Sequence, residues 1–181
     1  MKELQGTKTQ ANLIAAFLGE SQARNKYTYY AEEARKSGFE QIGSIFEETA
    51  NNEKEHAKIW FDLLHGNANL TDASANLKDA AAGEHFEWTE MYKTFAEEAR
   101  KEGFDHIAFL FDEVAKIEAE HEKRFLKLCE NVDGGLVFSR NEDKMWICSN
   151  CGHIVFGKEV PNVCPVCKHP KAYFELKAEN Y

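Results

Sequence analysis

Apolar residues recur every three or four positions through most of the first 130 residues, the spacing that places them on one face of an α-helix. The pattern predicts four helices, roughly at residues 8–36, 40–65, 77–101 and 105–130. Ionisable residues interrupt each apolar stripe near its middle. The second stripe, for example, consists of Ile42, Phe46, Thr49, Glu53, His56, Trp60 and Leu63. We therefore expect each helix to face an apolar core at both ends and to carry polar groups in its central turns.

The predicted helices belong to two copies of one unit. Residues 30–36 (YAEEARK) recur 65 positions later as residues 95–101 (FAEEARK). The same offset relates Gly38 to Gly103, and each glycine is placed to end one helix before a short turn into the next. Each unit is therefore predicted to be a helical hairpin.

The connection between the hairpins, residues 66–76, is polar and rich in turn-forming residues. Eleven extended residues reach about 36 Å, and a helix of 26 residues is about 39 Å long. The connection can therefore run almost the length of a bundle and leave helices 2 and 3 parallel. The expected fold class is mainly α, a ferritin-like four-helix bundle with a long crossover between helices 2 and 3.

The C-terminal part differs in composition. All three prolines lie in the last 21 residues, and four of the five cysteines lie from residue 148 onward. A stretch of mixed charge that contains Gly134 and Gly135 precedes them. We predict a helical bundle over residues 1–131, a linker over 132–144, and a small β/loop domain over 145–181.

The charge and the hydropathy of the chain exclude several function classes. It carries 22 basic and 31 acidic residues, a net charge of −9, and such a surface repels nucleic acid and anionic membranes. The longest apolar run, residues 13–18, is too short to span a bilayer. The N-terminus lacks the apolar stretch of a signal peptide. We therefore expect a cytoplasmic protein, in which structural disulfides are disfavoured.

The ionisable residues of the four stripes lie at one level of the predicted bundle. Their separations from the nearest turn glycine are similar: 18 residues before it for Glu20, 15 after for Glu53, 19 and 16 before for Glu84 and Glu87, and 15 after for Glu118. One Glu-x-x-His motif on its own is usually a solvated helix face. Here two such motifs, Glu53 with His56 and Glu118 with His121, coincide with three further carboxylates.

Five carboxylates in one core need a large compensating positive charge to stay ionised. A dinuclear metal centre supplies that charge, and residues at i and i+3 of a helix can reach the same ion pair. Oxygen and imidazole ligands suit iron or manganese, whereas structural zinc favours thiolates. The sequence therefore predicts a dinuclear centre of iron or manganese.

The repeat is broken at one position. Glu20 and Tyr27 are seven residues apart, but Glu84 and Tyr92 are eight apart, although the two tyrosines obey the 65-residue offset. One extra residue inside a helix predicts a π-bulge around residues 85–91.

Four cysteines form two C-x-x-C pairs that are separated by twelve residues: Cys148 with Cys151, and Cys164 with Cys167. This spacing predicts tetrahedral thiolate ligation of one ion, and it leaves both zinc and iron open. The remaining Cys129 has no partner near it in the sequence, and we expect it to be a buried packing residue.

Over nearly its whole length the chain resembles the rubrerythrin family. The matching segments are GESQARN at residues 19–25, EKEH at 53–56, GEHFE at 83–87, EAEH at 118–121, and the two cysteine pairs. The resemblance implies a bundle with an oxo- or hydroxo-bridged pair of non-haem irons and a C-terminal rubredoxin-like domain with one iron on Cys148, Cys151, Cys164 and Cys167. It also implies a peroxidase that reduces hydrogen peroxide to water in oxidative stress defence.

The resemblance implies a role for each ligand. Glu53 and Glu118 would bridge the two irons. Glu20 and Glu87 would be terminal ligands of one iron, and Glu84 and His121 of the other. In the reduced site His56 would replace Glu87. One residue departs from the family pattern: Lys168 stands where free rubredoxins usually carry glycine, and a non-glycine residue in a left-handed turn costs about 1 kcal/mol.

We also expect a head-to-tail homodimer, because the cysteine domain follows the end of helix 4, far along the chain from the mid-level ligands. The resemblance implies a redox donor protein, either a rubredoxin or an NAD(P)H-dependent reductase. Two other functions stay open at this point. One is a ferroxidase or iron-handling protein, and the other is a zinc-ribbon interaction protein with a metal-binding bundle.

Overall fold

The structure, a computed structural model, describes residues 3–66 and 72–180. It divides into two compact units, Met1–Leu70 and Thr71–Tyr181, and the division lies between the two predicted hairpins. The middle of the predicted crossover, residues 67–71, lies outside the described residues.

The first unit is an antiparallel hairpin of α1 (Lys8–Lys36) and α2 (Glu40–Leu64). Gly38 ends α1 with a φ of +83°, a left-handed conformation that glycine adopts without a steric penalty. The N–H of Phe39 then donates to the carbonyl of Ala34 at 2.9 Å, which closes a Schellman motif. This confirms the glycine cap that the sequence predicts.

Small residues bring α1 and α2 close together. A Cβ atom at Gly43 would lie 2.7 Å from Cγ of Arg35 and 3.1 Å from the carbonyl oxygen of Ala31, so only glycine fits there without a shift. At the other end of the hairpin the rings of Phe17 and Phe61 lie 5.7 Å apart, within the range of a favourable aromatic pair. These contacts fix the axial register of α1 against α2.

The second unit begins with one helical arm, made of α3 (Ala73–Phe86), a π-helical segment (Glu87–Met91) and α4 (Tyr92–Lys101). The arm packs antiparallel to α5 (Asp105–Asp133). In the π segment the N–H of Tyr92 donates to the carbonyl of Glu87, five residues back. The predicted π-bulge is thereby confirmed.

The bounds of the arm and of α5 differ from the predicted ones. The arm begins at residue 73 and not at 77, because the carboxylate of Asp72 caps it by accepting the N–H of Ala75 at 3.1 Å. Helix α5 continues to Asp133 and not to 130. There the hydroxyl of Ser74 donates to Asp133 at 2.5 Å, a contact that joins the two helix ends.

The C-terminal sheet has three antiparallel strands in the order β2–β1–β3, with β1 at Ser139–Cys148, β2 at Ile154–Glu159 and β3 at Phe174–Leu176. Its core consists of Trp146, Cys148, Cys164 and Phe174. The first half of β1 lies in the segment that the sequence assigns to a linker, because Ser139 already pairs with Glu159 of β2.

Among the helices of the described ranges, none combines the length and the apolar character that a membrane span requires.

Candidate metal centres

The first unit brings together Glu20 of α1 with Glu53 and His56 of α2, and one ligand atom from each lies within 4.8 Å of the others. Nδ1 of His56 is 2.7 Å from Oε2 of Glu53, as the i, i+3 spacing requires. The side chain of Glu53 is 17% exposed, whereas that of His56 is 52% exposed. The carboxylate of Glu53 is therefore mostly buried, whereas the imidazole of His56 is open to solvent.

The second unit brings together Glu84 of α3 with Glu118 and His121 of α5, again within 4.8 Å of one another. Nδ1 of His121 lies 2.7 Å from Glu118 and 3.7 Å from Glu84. The carboxylates of Glu84 and Glu118 are 20% and 14% exposed. Both three-residue groups are thus half-buried, which leaves each carboxylate partly hydrated.

Glu87, the seventh predicted ligand in the helices, belongs to neither group, but it lies in the same neighbourhood as the second one. Burial raises the pKa of Tyr92 above its ordinary value, and the charges of Glu87, Glu118 and Glu84 raise it further. Tyr92 therefore lies in the field of three carboxylates. Two of these belong to the second group and the third begins the π segment.

The four cysteines form a third group, also within 4.8 Å of one another. Sγ of Cys148 is 3.7 Å from that of Cys167, and Sγ of Cys151 is 3.7 Å from that of Cys164. A hydrogen bond from the backbone N–H of His169, together with side-chain hydrogen bonds that include those of the neighbouring thiols, lowers the pKa of Cys167 to about 5 against the opposing effect of burial. An incoming cation thus meets one thiolate at neutral pH.

Each cysteine pair is followed by a residue in the left-handed region. Gly152 has a φ of +75° and Lys168 has a φ of +63°. In both turns this residue donates its N–H to the carbonyl of the first cysteine, Gly152 to Cys148 at 2.8 Å and Lys168 to Cys164 at 3.0 Å. Lys168 therefore occupies a glycine position, and its ammonium group donates to the carbonyl of Pro165 at 2.9 Å.

The donor sets suit the ions that the sequence predicts. Each helical group offers two carboxylates and one imidazole, a set that fits iron or manganese, and four thiolates fit iron or zinc. Cys129 is separate from all three groups. It is buried as expected, with its sulfur 3.5 Å from the hydroxyl of Ser74.

Comparison with known proteins decides the family. The Rubrerythrin family profile matches residues 11–129 and 75–145, and the profile of the rubredoxin-like domain of rubrerythrin matches residues 146–175. The chain belongs to the rubrerythrin family. The predicted fold class, a ferritin-like bundle followed by a rubredoxin-like domain, is therefore confirmed.

Several rubrerythrins match the chain along their whole length. That of Porphyromonas gingivalis is 48% identical over 190 residues, covering 99% of this chain and 95% of the relative. That of Nitratidesulfovibrio vulgaris is 47% identical over 191 residues, covering both chains fully. Among solved structures, partially reduced nigerythrin is 31% identical with a TM-score of 0.36, covering 98% of this chain and 92% of that one. The family assignment rests on the sequence matches.

Three polar residues of this rubrerythrin-family chain were not singled out by sequence reasoning, although they lie beside the predicted ligands. They are His85, Trp88 and Glu122. The repeat holds a signal for one of them, because the 65-residue offset pairs Glu122 with the buried Ala57. A charged residue in place of a core alanine marks a difference between the two hairpins.

Proposed function

We propose that this protein is a peroxidase that reduces hydrogen peroxide to water at a di-iron centre and receives electrons through an iron held by its four cysteines. The observation that carries the proposal is the presence of three donor groups in one chain. Two are rich in carboxylates and contain imidazole, and the third consists of thiolates. Membership of the rubrerythrin family, which implies an oxidoreductase, supports the same reaction class.

In this proposal the two helical groups together supply the ligands of one centre. Glu53 and Glu118 would be the bridging carboxylates, since each has a histidine 2.7 Å away that can bind the adjacent ion. Glu20 and Glu84 would be terminal ligands. When bound, the iron pair supplies the two electrons that cleavage of the peroxide O–O bond requires.

The protein's own part is to balance charge during that two-electron cycle. Four carboxylates, those of Glu20, Glu53, Glu84 and Glu118, offset the charge of two ferrous ions. Oxidation of the bound pair would add positive charge, and anionic Glu87, by taking the place of neutral His56 as a ligand, would offset part of it.

We further propose a head-to-tail homodimer in which the four-cysteine iron of one subunit reduces the di-iron centre of the other. Helix α5 continues from His121 to Asp133, about 18 Å at 1.5 Å per residue, before the chain enters the sheet. The external donor would be a redox protein, a rubredoxin or an NAD(P)H-dependent reductase.

The test is rapid mixing of the iron-loaded, fully reduced protein with hydrogen peroxide or with dioxygen. We expect three irons per chain and faster oxidation by peroxide. A Cys151→Ala variant is the matched control, since it should keep the single oxidation by peroxide and lose repeated turnover. Faster oxidation by dioxygen with growth of a ferric mineral would favour a ferroxidase. One zinc on the cysteines and no reaction with peroxide would favour an interaction protein.

A further inference from the structure

A single carboxylate on α5 holds the two residues that follow Glu84 and Glu87. Oε1 of Glu122 lies 3.0 Å from Nδ1 of His85, and Oε2 accepts the indole N–H of Trp88 at 2.5 Å. The imidazole and indole rings also meet edge to face, with centroids 5.6 Å apart. We refer to His85, Trp88 and Glu122 as the clasp.

The clasp spans the junction between α3 and the π segment. His85 lies in the last turn of α3, and Trp88 is the second residue of the π segment. The hydroxyl of Thr89 donates back to the carbonyl of His85 at 2.6 Å, which ties the two parts of the arm to each other as well. The side chain of Glu122 is only 17% exposed, so water competes weakly for its oxygens.

The first hairpin serves as an internal reference, because it is the other copy of the repeat and lacks the extra residue of the second copy. Helix α1 is α-helical from Lys8 to Lys36. At the position equivalent to Glu122 it faces Ala57, which is buried. The residue after Glu20 is Ser21, whose hydroxyl donates to the carbonyl of Phe17 in its own helix at 2.7 Å. The π segment and the clasp therefore occur together, in the second hairpin.

We infer that Glu122 is a positioning residue that holds the π segment in register and so sets the direction of Glu87. An extra residue in a helix can lie at any turn. If the extra residue moved past Trp88, the indole side chain would rotate about the helix axis by about 100° and lose its contact with α5. The two bonds to Glu122 keep the extra residue between 87 and 91. The significance of Glu87 as a ligand rests on the proposed function.

The first test measures amide hydrogen exchange in the metal-free full-length chain, so it does not depend on the proposed reaction. In Glu122→Ala, which removes both acceptors, we expect the amides of residues 87–92 to exchange about tenfold faster, the effect of losing a charge-assisted hydrogen bond. Trp88→Phe, which removes one donor and keeps a ring, should have a smaller effect of the same sign. Glu120→Ala, on the exposed side of the same helix, is the matched control and should change nothing there.

The second test compares the iron-loaded wild type with Glu122→Ala by Mössbauer spectroscopy. The diferric site of Glu122→Ala, where Glu87 would be a ligand, should show an iron environment that the wild type lacks, and its diferrous site should show none. Glu122→Gln keeps one acceptor oxygen and should restore most of the wild-type spectrum. Unchanged exchange in residues 87–92, or an unchanged diferric spectrum in Glu122→Ala, would overturn the inference. If no iron binds in the helices, the proposed function fails, while the exchange test still decides the role of Glu122.

Discussion

Glu53 and Glu118 have the same local geometry in two different hairpins: each carboxylate lies 2.7 Å from Nδ1 of the histidine three residues further along its helix. In each pair the carboxylate is less exposed than the histidine, with a side-chain exposure of 17% for Glu53 and 14% for Glu118. The repeat therefore gives the protein two equivalent carboxylate–imidazole pairs. This equivalence makes the predictions below comparable between the hairpins.

Replacing either proposed bridging carboxylate, Glu53 or Glu118, should remove the iron that is bound by the helices. In Glu53→Ala or Glu118→Ala we expect the iron content to fall from three per chain to one, because each variant removes a proposed bridge and leaves metal charge uncompensated. Peroxidase activity should be lost with it. The matched controls are Glu55→Ala and Glu120→Ala, two exposed positions that are themselves related by the repeat. Wild-type activity in either bridge variant would refute the assignment.

The two histidines should differ although their geometry is alike. His56→Leu should leave the oxidised site intact, where Glu87 is the proposed ligand, and should impair the reduced one. His121→Leu should impair both, since no exchange partner is proposed for it. The measurement is iron content together with the reduction potential of the helical centre in both variants. An unchanged potential and turnover in His56→Leu would contradict the exchange of ligands.

Substitutions at the two left-handed residues of the cysteine turns, Lys168 and Gly152, should have opposite effects on the stability of the cysteine domain. Lys168→Gly should stabilise the metal-loaded cysteine domain by up to about 1 kcal/mol, because it relieves a left-handed φ. Gly152→Ala should destabilise it by about the same amount through backbone strain alone, since an added Cβ there meets no atom within 4 Å. Denaturant-induced loss of the thiolate–metal absorption measures both. Equal midpoints for the two variants would show that the turn geometry is unimportant.

Mixed dimers should separate transfer between subunits from transfer within one chain. One partner lacks the cysteine domain, and the other is full-length with Glu53→Ala and Glu118→Ala. Neither homodimer should turn over, whereas the heterodimer should recover activity if electrons pass between subunits. Peroxide consumption with a chemical reductant is the measurement, and mass spectrometry establishes that heterodimers are present. Proven heterodimers without activity would favour transfer within one chain.

Local features of this protein were readable from the sequence because they depend on spacing along the chain. The helical hairpins follow from the repeat and its turn glycines, and the carboxylate–histidine pairs follow from i, i+3 geometry. The π segment at Glu87–Met91 follows from one extra residue between Glu84 and Tyr92. Each of these is set within a few helical turns, so no knowledge of the partner helix is needed.

Other features depend on which residues of distant segments meet. Helix α3 begins earlier than predicted because Asp72 caps it, and β1 begins at Ser139 because that residue pairs with Glu159. The contacts of Glu122 with His85 and Trp88 join residues 37 and 34 positions apart in the sequence. Such contacts depend on the rotation and the level of one helix against another. Sequence periodicity gives the buried face of each helix, but tertiary packing decides which side chains meet across it.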